Sequence, residues 1–161
     1  MQKLNIFFKK LANIIELILS FLLAFIFIFM CILVILRYFF NSSIYGGNEI
    51  LEYLFIYITS LGAAALIFYD EHIKVDFFSF KNKTLKTIQN IIINFLMLFL
   101  CSIILKLSFE WIGNVGQFPT PVLHIKQMWA QISIPIGFIL SIIFLIFKII
   151  CDFIKLIKGE K

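Results

Sequence analysis

The chain has 161 residues, 62% of them hydrophobic, with 21 Phe and a net charge of +5. This composition leaves little polar chain for a water-soluble domain, and the Lys residues flank apolar runs, where anionic lipid headgroups and orientation rules account for them, so nucleic-acid binding is excluded. Cys31, Cys101 and Cys151 are odd in number and far apart, which argues against a disulfide framework or a metal cluster and leaves them as small apolar residues.

In chain order, Leu4, Phe7, Phe8, Leu11 and Ile15 recur at helical spacing opposite Lys3, Lys9, Lys10 and Asn13, which predicts an amphipathic lead-in on the inner leaflet. Leu17–Leu36 follows, 20 residues without Asp, Glu, Lys, Arg or His. Three more such runs are Tyr53–Tyr69, Thr87–Leu105 and Gln127–Phe147, of 17, 19 and 21 residues. At about 1.5 Å per residue each matches a hydrocarbon core roughly 30 Å thick. Spans are expected at about 15–38, 50–69, 87–106 and 127–148. The first run is longer than a signal-peptide core and no small-x-small cleavage site follows it, so the first helix is expected to stay.

Between the second and third runs, His72–Lys86 mixes Phe with Lys and is expected to graze the cytoplasmic interface. Ser108–Lys126 holds Gly113, Gly116, Pro119 and Pro121, which predicts the end of the third helix and an irregular outer loop. The tail from Lys148 can lie on the inner surface like the lead-in. The fold class is an all-α integral membrane protein, one domain over 1–161 with four transmembrane helices and amphipathic interfacial helices.

Lys and Arg number three before the first helix, one in the first loop, four in the second, two in the third and four at the C-terminus. The positive-inside rule then puts both termini and the second loop in the cytoplasm. Tyr38, Tyr45, Trp111 and Trp129 fall near the outer helix ends, as an aromatic belt requires.

Ion pumps and proton relays hold ionisable groups at membrane depth, and the four runs have none. A partner subunit is therefore expected to carry the chemistry. Helices associate in lipid through small residues and polar contacts. Ser60, Gly62 and Ala64 in the second run, and Ser133 and Gly137 in the fourth, supply such faces, either for packing within this chain or for docking a membrane subunit. Pro135 removes one helical hydrogen bond and predicts a bend in the fourth helix.

At the start of the second span, Asn48 is placed to cap amides and Glu49 to meet the positive end of the helix dipole. Glu49, Glu52 and Tyr53 share one helical face, and Arg37 closes the first helix on the same side, so an Arg37–Glu clamp and contact with an external protein are both open. His72 and Asp76, four apart on the inner side, read as an interfacial hydrogen-bonded pair, because two ligands without a third make a weak metal site. No nucleophile or acid–base set accompanies these groups, so no enzyme activity and no cofactor is expected.

The strings Arg37-Tyr38-Phe39-Phe40-Asn41, Asn48-Glu49-Ile50-Leu51-Glu52-Tyr53-Leu54, Leu61-Gly62-Ala63-Ala64, His72-Ile73-Lys74-Val75-Asp76, Thr120-Pro121-Val122-Leu123 and Ser133-Ile134-Pro135-Ile136-Gly137 occur in this order. The set resembles the small membrane subunit, DctQ type, of tripartite ATP-independent periplasmic (TRAP) transporters. The family often has two adjacent acids where Asn48-Glu49 stand, so only Glu49 carries over, and often a Trp where this chain has Tyr45-Gly46-Gly47. The resemblance implies a multi-pass protein of a bacterial or archaeal inner membrane. Its partners would be a large membrane subunit that holds the sodium and substrate sites and an extracytoplasmic solute-binding protein that captures an organic acid.

On that reading Ser60, Gly62, Ala64, Ser133, Pro135 and Gly137 serve helix packing or contact with the large subunit. Arg37, Glu49 and Glu52 lie on the outer surface near the binding protein, and His72 and Asp76 stabilise the inner interface. The alternative is a self-sufficient four-helix bundle such as a small channel or exporter. A small multidrug exporter is the weaker form of it, because Leu17–Leu36 lacks the membrane-embedded Glu of that design.

Overall fold

The computed structural model describes residues 2–69 and 83–158. Its helices are α1 (Gln2–Phe39), α2 (Gly47–Tyr69), α3 (Lys83–Val115), α4 (Met128–Gln131) and α5 (Ser133–Lys158). Four segments are long and apolar enough to cross a membrane: Phe8–Phe39, Gly47–Tyr69, Ile88–Val115 and Met128–Ile154. The chain is an all-α, multi-pass membrane protein. His72 and Asp76, with most of the loop around them, lie outside the described residues.

The lead-in and the first span form one 38-residue helix, since no Gly or Pro interrupts Gln2–Phe39. The apolar face of the lead-in is covered by protein: Phe8, Leu11 and Ile15 pack on the cluster of Ala64, Ile67, Cys101, Phe144 and Leu145. The Phe8 ring meets those of Phe144 and Phe147, with centroids 6.1 and 4.4 Å away. Farther along α1 most side chains face outward, Leu17, Phe21 and Phe27 among them, which suits a helix bordered by lipid. At Asn41 (φ 50°) the backbone turns left-handed, and the Ser42 N–H bonds the Leu36 carbonyl at 3.1 Å, closing the end of α1.

Helix α5 lies between α2 and α3, and α1 packs on α2. Helix α3 runs past Gly113, which has open space where a side chain would stand, and stops at Val115 before Gly116. The outer loop is thus shorter than its composition predicts. The fourth span is divided at Ile132, between α4 and α5, although Ile132 keeps helical angles. Pro135 has no N–H for the Gln131 carbonyl, and the neighbouring Ile136 N–H reaches the Ile132 carbonyl only at 3.4 Å.

Candidate functional site: an outer clasp and a close helix crossing

The loop between α3 and α4 doubles back on itself. Pro119 and Lys126 pair as an antiparallel bridge, the Gln127 N–H bonds the Phe118 carbonyl at 3.0 Å, and the Thr120 N–H bonds the Ile125 carbonyl at 2.8 Å. Pro121 fixes one backbone angle and His124 takes a left-handed one (φ 54°). This shape turns the N–H groups of Val122 and Leu123 in one direction. They donate to the two carboxylate oxygens of Glu49, at 2.7 and 2.8 Å. The Thr120 side chain and His124 stand close enough to act on this carboxylate electrostatically.

Two further contacts hold the loop from the α1–α2 turn. The Tyr45 hydroxyl donates to the Val122 carbonyl. Gly46, at φ 71°, packs so closely against the Leu123 side chain that a Cβ there would collide with it. Gly46 also accepts the first bond of α2, from the Ile50 N–H at 3.1 Å, so the residue that precedes the first turn is Gly46 and not Asn48. Glu49 stands in that first turn, where a negative charge is favoured.

The sequence-predicted outer residues therefore separate. Glu49 is buried beneath the loop, whereas Arg37 and Glu52 are exposed. Arg37 makes no ion pair with either acid among the described residues, so the clamp on the outer side is carboxylate to backbone. The Tyr53 hydroxyl is buried without a hydrogen-bond partner. Backbone donors have no signature in side-chain chemistry; the available clue was a Thr-Pro turn in the same chain as an acid at a helix start.

At membrane depth, α2 and α5 cross at Ser60. Its hydroxyl donates to the Ser133 carbonyl at 2.6 Å, and a Cβ on Gly137 would fall 2.5 Å from the Ser60 carbonyl oxygen. The Ser133 hydroxyl bonds the Ala130 carbonyl and that of Ser141 the Gly137 carbonyl, each at 2.8 Å. Ala64 is fully buried in the core, and Gly62 faces Leu19 of α1 at ordinary contact distance. Ser60, Ala64, Ser133 and Gly137 are thus used in packing within this chain. Nearer the outer end, the Tyr57 hydroxyl bonds the Trp129 carbonyl at 2.7 Å.

At the opposite end of the bundle, the Lys148 ammonium donates to the Ile67 carbonyl at 2.9 Å. The Tyr69 hydroxyl bonds the Asn13 side-chain oxygen, joining α1 to the same end. No group of three His, Cys, Asp or Glu able to hold a metal occurs among the described residues.

No curated protein matches this sequence. Residues 26–155 match the family model described as tripartite ATP-independent periplasmic transporters, DctQ component. That stretch takes in both ends of the outer clasp and the Ser60–Gly137 crossing. The chain belongs to the DctQ component family of tripartite ATP-independent periplasmic transporters, and is a transporter component rather than an enzyme.

Proposed function

We propose that this chain is the non-catalytic scaffold of its transporter in a bacterial inner membrane: one four-helix domain that holds the large subunit and helps seat the solute-binding protein for ion-coupled uptake of organic acids. The observation that carries this reading is the fate of five membrane-depth hydroxyls on the second, third and fourth spans. Thr59, Ser60, Ser102, Ser133 and Ser141 all donate to backbone carbonyls of this chain, and the four uncharged runs offer no ionisable group to bind or relay an ion. Transport chemistry then falls to the large subunit. Outside, exposed Glu52 and the rim of the loop face the binding protein, with Glu49 shaping that surface from beneath and Arg37 at its edge. His72 and Asp76 stabilise the inner interface.

Affinity capture of the tagged chain from detergent-solubilised native membranes, followed by mass spectrometry, tests the proposal. Stoichiometric recovery of a large polytopic subunit is expected. Recovery of the chain alone, together with ion flux through liposomes containing only this protein, would overturn it in favour of a self-sufficient bundle.

A further inference from the structure

A cavity of about 740 Å³ opens on the outer side between the end of α1, the α1–α2 turn and the start of α2. Its lining includes one charge of each sign, Arg37 and Glu49. They do not neutralise each other. Glu49 is engaged by the Val122 and Leu123 amides, and Arg37 has no hydrogen-bond or ion-pair partner among the described residues. Below Arg37, the cavity wall is Val34, Leu33 and Met30, which precede it by three, four and seven positions. These spacings put all four residues on one face of α1, with the apolar three descending about 10 Å into the hydrocarbon layer.

A guanidinium at headgroup depth above an apolar stripe has the polarity of a phospholipid lying along the helix. Arg presents five donors in a planar fork that suits phosphate oxygens. A carboxylate has about four acceptor sites, and two at Glu49 are taken by the Val122 and Leu123 amides. Acceptor capacity and the negative charge remain, which favours an ammonium group and disfavours a purely anionic headgroup. We infer that this cavity binds one outer-leaflet phospholipid with a primary-amine headgroup. Its phosphodiester lies on Arg37, its ammonium toward Glu49, and the start of one acyl chain along Val34, Leu33 and Met30. All of these residues belong to this chain.

The test is native mass spectrometry of the full chain after exchange into equal amounts of phosphatidylethanolamine, phosphatidylglycerol and phosphatidylcholine. One retained phosphatidylethanolamine is expected, with retention at least about tenfold weaker in Arg37→Gln, from loss of a charge-assisted bond. Val34→Trp fills the apolar wall without changing charge and is expected to lose the lipid as well; being at an exposed position, it guards against a folding defect in the Arg37 variant. Unchanged retention in both variants overturns the site. Equal or greater retention of phosphatidylglycerol or phosphatidylcholine overturns the assignment of the amine. Competition by glycerophosphoethanolamine, which has the headgroup without acyl chains, at concentrations equal to the lipid would identify a site for a free small zwitterion and overturn the lipid.

Discussion

The backbone N–H of Leu123 lies 2.8 Å from a carboxylate oxygen of Glu49, across 74 positions of sequence. With the matching bond from Val122, it fastens the outer loop between α3 and α4 to the first turn of α2. A carboxylate accepting two N–H groups is charge-assisted at both oxygens, and removing it leaves two donors without their acceptor.

Glu49→Gln is expected to loosen this loop, because the amide nitrogen it introduces is itself a donor and opposes one of the two N–H groups. Amide hydrogen exchange at Val122 and Leu123 should accelerate at least about tenfold, with core amides of α2 unaffected. Exchange unchanged at both positions would show that Tyr45 and the Gly46–Leu123 contact suffice to hold the loop.

Gly137→Ala is expected to separate α2 from α5, since the added carbon meets the Ser60 backbone, which cannot rotate away. Overpacking of this kind costs about 1–3 kcal/mol. Gly113→Ala serves as the contrast: nothing lies within contact range of its Cβ position, and relief of glycine's backbone freedom should leave stability unchanged or raised by up to about 1 kcal/mol. Unfolding free energies of the two variants in mild detergent decide the matter.

Lys148→Met removes the cation that bonds the Ile67 carbonyl at the inner end of α2. A loss of about 1 kcal/mol is expected, in the range for one intramolecular hydrogen bond. Lys148→Arg, which keeps the charge, should recover part of it. A Met variant as stable as the parent would show that water replaces the ammonium at this end.

The charge distribution predicts cytoplasmic termini, so in a cysteine-free background Gln117→Cys should react with a membrane-impermeant maleimide in intact cells and Lys158→Cys only after lysis. Reaction in the opposite order would invert the assigned orientation.

The four helices were legible in the sequence because span length and charge exclusion act on each segment alone. A run of 17 to 21 uncharged apolar residues has few other stable states, since every unpaired backbone group in lipid is costly. The ends were less legible: α1 continues back to Gln2 and α3 on to Val115, because polar or Gly-containing turns extend a helix wherever no proline or cap stops it. The small residues at Ser60, Ser133 and Gly137 were visible as a packing face, but not what they packed against.

By itself, then, the sequence determined that the chain crosses the membrane four times, where its charges cluster, and which ordered motifs it shares with the DctQ component. The tertiary structure decided the partners of those motifs. Glu49 pairs with loop amides instead of Arg37, Ser60 with the Ser133 carbonyl, and Lys148 with the Ile67 carbonyl. Each of these bonds ends on backbone, and backbone groups are the same at every position of a sequence. Only the folded path of the chain selects which of them are brought within reach of a side chain.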